Sequence, residues 1–168
     1  HWLIAIAVIA NWLIPEQLEG LPHEQFMDAM WPHKALGLII FALVVLRLGW
    51  RLIRKPPPYS SALRPWERAL AKTVHIAFYV LLLAMPVIGY VGNSYDGSNV
   101  HMFGLFTIGR LAVPDDDRFA HPIFDLHGTL GTILMLLVVL HVVGALKHQL
   151  FDRNGELFRM LPFGRARS

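Results

Sequence analysis

Nine histidines and no cysteine stand in this 168-residue chain, and two of the histidines lie where imidazole is costly to keep. His127 and His141 are fourteen residues apart in the apolar run Asp125 to Leu150, DLHGTLGTILMLLVVLHVVGALKHQL. On an α-helix that separation is a rise of about 21 Å and a rotation roughly 40° short of four full turns. Both rings therefore share one face, near opposite sides of a hydrocarbon layer about 30 Å thick. An ionisable group inside a membrane helix implies function by default, and imidazole is an axial ligand of haem iron. The bland alternative is a pair of histidines satisfied by hydrogen bonds in a bundle core. As haem ligands, each would need a second axial partner at its own depth on another helix.

His33 opens a second apolar stretch at the depth of His127, and these two are expected to form an outer pair. His141 has two candidates, His1 and His75, at similar depths on two further stretches. A flat macrocycle lies perpendicular to the iron–nitrogen bond, so the residue one turn along the ligand's face should be small. Position i+4 is Ala5 after His1, Gly37 after His33, Gly131 after His127 and Ala145 after His141, whereas it is Tyr79 after His75. The pattern favours His1 with His141 and leaves His75 as a neighbouring group or part of a quinone pocket. Arg47 follows His33 by fourteen residues, at the inner depth, where a buried guanidinium would suit a haem propionate. His148, two turns past His141, could hydrogen-bond a quinone carbonyl at the membrane surface.

These side chains need elements to hold them. With 55% hydrophobic and 16% charged residues, the chain is of the membrane class. Its apolar stretches predict an all-α fold, a four-helix transmembrane bundle with helices over about 1–14, 32–54, 66–91 and 123–150, binding two b-type haems. The absence of cysteine excludes disulfides, cysteine-ligated iron–sulfur clusters and covalent c-type haem. The first stretch is short for a span of about 20 residues and lacks an initiating methionine, so residues preceding His1 are expected. No H-E-x-x-H is present, and the histidines are too dispersed for one compact zinc site.

Charge sorts by loop. Arg47, Arg51, Arg54, Lys55, Arg64, Arg68 and Lys72 flank one connection, and Lys147, Arg153, Arg159, Arg165 and Arg167 follow the last span. The opposite loops hold nine carboxylates and only Lys34, Arg110 and Arg118 as cations. The positive-inside rule then puts both chain ends in the cytoplasm, and the net charge of +3 reads as a topology signal rather than a nucleic-acid footprint. Pro15 is expected to end the first helix, Pro86 to lie inside the third, and Lys55-Pro56-Pro57-Pro58 to stop the second. The apolar segment at about 100–111 is too short to span and is expected to lie over the outer end of the bundle. The run Asp115-Asp116-Asp117 reads as solvated loop.

His1-Trp2, His33 with Gly37 and Arg47, VHIAFYVLLLAMPVIG, LHGTLG and LHVVGALKH together resemble the bacterial cytochrome b561 family over nearly the whole chain. The resemblance implies a four-helix, di-haem protein of the bacterial inner membrane, with axial ligands matching His1, His33, His127 and His141. It also implies a cytoplasmic-side ubiquinone near His148. The activity implied is oxidation of superoxide on the outer side with transfer of the electron to ubiquinone. The alternative implied is a haem-bearing anchor subunit of a quinone-linked hydrogenase or dehydrogenase, with a redox partner docked on the outer face. An anionic substrate is steered by positive potential, which makes Lys34, Arg110 and Arg118 the candidate catalytic cations over the outer pair.

Overall fold

The computed structural model describes residues 1–54 and 63–151. Lys55, the proline run and the arginines at 153, 159, 165 and 167 lie outside the described residues. The elements, in order, are α1 (Trp2–Gln17), α2 (His23–Ala29), α3 (Trp31–Ile53), α4 (Pro65–Tyr95), β1 (Val100–Met102), β2 (Phe106–Ile108) and α5 (Asp117–Leu150). The helices α3, α4 and α5, of 23, 31 and 34 residues, are each long and apolar enough to cross a membrane. At 1.5 Å per residue the 16 residues of α1 rise about 24 Å, less than the hydrocarbon thickness.

Apolar side chains cover the outside. Leu46, Leu52, Leu136 and Val143 are each more than half exposed in the isolated chain, a surface that water would penalise and lipid solvates. Inside, α4 lies along α5, and α3 packs against both α1 and α4. The α4–α5 contact is close where glycine stands on α4: a Cβ added at Gly92 would lie 2.9 Å from Phe124 Cε1, so the small residue admits the neighbouring ring. Val8, Ile40, Val44 and Leu134 form a small buried cluster, ringed by Phe78, Tyr79 and Leu81 to Leu83. Each of the four sits about midway along its helix, so the cluster divides the bundle into two ends.

Several boundaries differ from the expected ones. Pro15 does not end α1: the helix runs on to Gln17, with the Leu18 amide donating to the Pro15 carbonyl at 3.0 Å. The last helix starts at Asp117 rather than near 123, because Asp116 caps it by accepting from the Arg118 amide at 3.0 Å. Such caps satisfy amides that a first turn leaves unpaired, and Pro122 is accommodated within the helix. The third expected helix extends to Tyr95. Short α2 occupies what looked like plain acidic loop.

The segment at 100–111 is a hairpin, a departure from a purely helical chain. Val100 pairs with Ile108 and Met102 with Phe106. Phe103 and Gly104 both take positive φ, 52° and 76°, in a turn closed by the Leu105 amide on the Met102 carbonyl at 3.0 Å. That left-handed pair gives the twist tight hairpins favour. The loop that carries this hairpin is also tied to the end of α4. Ser94 Oγ accepts from the Leu111 amide at 3.1 Å, Asn93 Nδ2 donates to the Ser98 carbonyl at 2.6 Å, and Tyr90 Oη donates to the Gly109 carbonyl.

Candidate functional site

At the end of the bundle that carries His33 and His127 a cavity of about 570 Å3 opens between α1, α3, α4 and α5, with α2 at its mouth. Its size is within the range of about 300–1,000 Å3 usual for cofactor and ligand sites. His33 from α3 and His127 from α5 both line it, their ring centres 5.9 Å apart and their planes at 75°. His33 Nδ1 lies 3.0 Å from the Asn11 carbonyl. A carbonyl only accepts, so Nδ1 carries the proton and Nε2 is left bare. This is the arrangement in which a carbonyl orients a ligating imidazole and raises its basicity.

His127 is admitted by an absence. A Cβ at Gly89 of α4 would lie 3.0 Å from His127 Cε1 and 3.2 Å from Nδ1. Gly37 and Gly131, picked out by spacing, also line the cavity. Gly131 makes room for a protein ring as well, since its Cβ would lie 3.2 Å from Trp12.

At the other end three imidazoles converge. His141 of α5 has its ring centre 6.2 Å from that of His1 and 5.5 Å from that of His75. Phe78 also stands edge-on to His141 at 5.5 Å. Arg47 and Arg51 act electrostatically on His75, and Arg47 on the amine of His1. Arg47 is exposed in this chain rather than buried, and the Arg51 guanidinium lies 5.5 Å from the Tyr79 ring centre, within cation–π range. Glu67, 7% exposed, joins α4 to α5 by an ion pair with Lys147 and accepts from the Arg64 amide at 2.9 Å. His148 lies within electrostatic reach of that carboxylate.

Of the three candidate cations, Arg110 and Arg118 are each held by a nearby aspartate. Lys34 lines the cavity, with Asp28 and Asp96 in electrostatic reach. Arg110 is paired with Asp115 instead. Arg118, its side chain 86% exposed, is clamped to Asp116 through Nε at 2.9 Å and Nη2 at 2.6 Å. These bonds to Arg118 hold the Asp116 carboxyl below the usual carboxylate range. Spacing alone passed over His23 and His121, whose rings lie 6.4 Å apart at the cavity mouth. It also passed over Asn11 and Gly89, for which the nearest signal was the glycine pair Gly89 and Gly92 on one apolar helix.

A family model described as prokaryotic cytochrome b561 matches residues 1–163. This chain belongs to the prokaryotic cytochrome b561 family. It is 32% identical over 167 residues to cytochrome b561 homolog 2 of Escherichia coli K12, covering 96% of this chain and 86% of that protein. It is 29% identical over 163 residues to a protein named probable superoxide oxidase CybB from Yersinia pestis, covering 96% and 91%. To cytochrome b561 homolog 1 of Escherichia coli K12 it is 24% identical over 164 residues, covering 96% and 92%. Membership in the cytochrome b561 family makes the chain a bacterial membrane protein of electron transfer that binds b-type haem.

The residues present fit such a group. Two in-line metal–nitrogen bonds of about 2 Å, plus about 1.2 Å from each nitrogen to its ring centre, separate the centres of an axial imidazole pair by about 6.4 Å. The His33–His127 distance of 5.9 Å and the His1–His141 distance of 6.2 Å are near that value, and 5.5 Å for His75–His141 is further from it. Two buried polar atoms lining the His33–His127 cavity, Asn11 Oδ1 and Asn93 Oδ1, have no hydrogen-bond partner among the described residues, while the Met85 carbonyl lies in hydrogen-bond reach of the His127 ring.

Proposed function

We propose that this cytochrome b561 holds two b-type haems, one between His33 and His127 and one between His1 and His141, and passes electrons from superoxide on the outer side to ubiquinone near the cytoplasmic side. The observation that carries the reading is the placement of two imidazole couples, each bridging α5 to another helix, at the two ends of one bundle. Haem bound there supplies the one-electron chemistry, while the protein's task is ligation, separation and tuning. The balance is two superoxide anions, one quinone and two protons giving two dioxygen molecules and one quinol.

The chain's own groups divide that work. Lys34 is the cation at the outer cavity and attracts the anionic donor, while Arg110 and Arg118, held by their aspartates, take no part. Asn11 orients His33 and the missing side chain of Gly89 seats His127. On the inner side Arg47 pairs with a propionate, and His148, beside the Glu67–Lys147 pair, hydrogen-bonds a quinone carbonyl. His75 adjoins that quinone rather than ligating. Both termini face the cytoplasm in this reading, because Arg47, Arg51, Arg54, Arg64, Arg68, Lys72 and Lys147 gather at one end.

The test is a haem count and reduced-minus-oxidised spectrum on purified protein, followed by quinone reduction driven by a superoxide-generating source. Two haems per chain and quinol formation well above the spontaneous rate are expected. No b-type α-band refutes the ligation reading. A normal α-band without superoxide-driven quinol formation refutes the donor. That second result would favour an anchor subunit fed by a soluble protein, a role supported by the outer carboxylates and the neutralised arginines, which suit a basic partner.

A further inference from the structure

The bond that orients His33 uses a carbonyl that an ordinary helix would not leave free. Within an α-helix the amide of residue i+4 closes on the carbonyl of residue i, so the Asn11 carbonyl belongs to the amide of residue 15. Residue 15 is a proline inside α1. Proline has no amide hydrogen, and its ring also crowds the carbonyl four residues back. The freed carbonyl is the one found 3.0 Å from His33 Nδ1 on α3.

We infer that Pro15 is a positioning residue for the outer haem site: by withholding an amide from Asn11 it leaves that carbonyl to take the His33 Nδ1 proton, which fixes the tautomer and presents Nε2 to the cavity. This rests on the reading of His33 as an axial ligand. Two further observations single out the amide as what matters. The helix continues to Gln17 with the Leu18 amide on the Pro15 carbonyl, so Pro15 is not there to stop it. The Asn11 side chain does not stand in for its carbonyl, since Oδ1 is buried without a partner and Nδ2 lies 3.8 Å from where a Gly37 Cβ would be. The proline stands four positions after Asn11, whose carbonyl meets a histidine 22 residues further along the chain on another helix.

The consequence for a bound haem is directional. A donated Nδ1–H makes the imidazole more electron-rich, which favours the ferric state and lowers the potential of that site. An amide restored at position 15 competes for the carbonyl and draws it back along α1. The expected rise in the ferrous-to-ferric ratio of the outer component, at fixed solution potential, is roughly 2- to 12-fold, the effect of one ordinary hydrogen bond.

The experiment compares full-length wild type, Pro15→Ala, and a protein with lactic acid at position 15, which lacks both the proline ring and the amide hydrogen. Each is labelled with 15N-histidine, and the His33 Nδ1–H signal is followed with and without haem. A redox titration of the loaded protein accompanies it. Expected is a weakened, faster-exchanging Nδ1–H and a raised potential in one component for Pro15→Ala, with the lactic acid protein close to wild type. Unchanged signals in Pro15→Ala, or equal shifts in both variants, overturn the inference, the second result assigning the effect to the ring. Wild type that binds no haem refutes the proposed function instead, and the haem-free Nδ1–H signal still decides the role of Pro15.

Discussion

Replacing Gly89 by alanine tests the outer site without touching a ligand. The added Cβ would stand 3.0 Å from His127 Cε1 and 3.2 Å from Nδ1, against an optimum of about 3.5–4.0 Å for carbon contacts. The imidazole must therefore retreat by about 0.5–1 Å, or α4 and α5 must part by as much. Their close approach at Gly92 and Phe124, one turn further along, resists parting. Overpacking of this kind costs about 1–3 kcal/mol. If the ring bears the whole strain, haem affinity at the His33–His127 site falls roughly 5- to 150-fold, at 1.4 kcal/mol per factor of ten. The inner couple is at the far end of the bundle and should keep its haem. The assay is a haem count by pyridine haemochrome together with a two-component redox titration of Gly89→Ala. Loss or weakening of one component, with the other unmoved, is expected. A variant that retains both haems with unaltered titration would show that the contact does not constrain a ligand.

Replacing His33 or His127 by alanine should abolish the same spectral component, and replacing His1 or His141 the other. His75→Ala should keep both, and loss of the inner haem there with retention in His1→Ala would reverse the pairing. Lys34→Gln should slow superoxide-driven quinone reduction, most at low salt where screening is weak. Arg110→Gln and Arg118→Gln, already neutralised by Asp115 and Asp116, should not, and an equal loss in all three would point to net charge rather than to Lys34. Protection of the first amides of α5 against hydrogen exchange, corrected for the intrinsic rate, should be constant from pH 7 to about 5 and fall only below about 4. The sign follows from the depressed Asp116 carboxyl, whose contribution is complete above the ordinary carboxylate value and is lost as pH drops through the folded one. A loss already present near pH 6 would exclude Asp116 as the cause.

Period and hydropathy, which act within one segment, were legible in the chain itself. They located three long apolar helices and the positions of His33, His75, His127 and His141 along them, because an α-helix converts residue number into height with little freedom. The small residues at i+4 were readable for the same reason, and so was the family through its order of motifs. Caps and turns were less so. Asp116 extends α5 upstream of Pro122, and Phe103-Gly104 closes a hairpin, through local hydrogen bonds that compete with apolar patterning. What required the tertiary structure was everything that depends on two helices meeting. The Asn11 carbonyl on His33 and the vacant side of Gly89 facing His127 both arise across interfaces. Distances there are set by packing between segments that sequence spacing leaves independent.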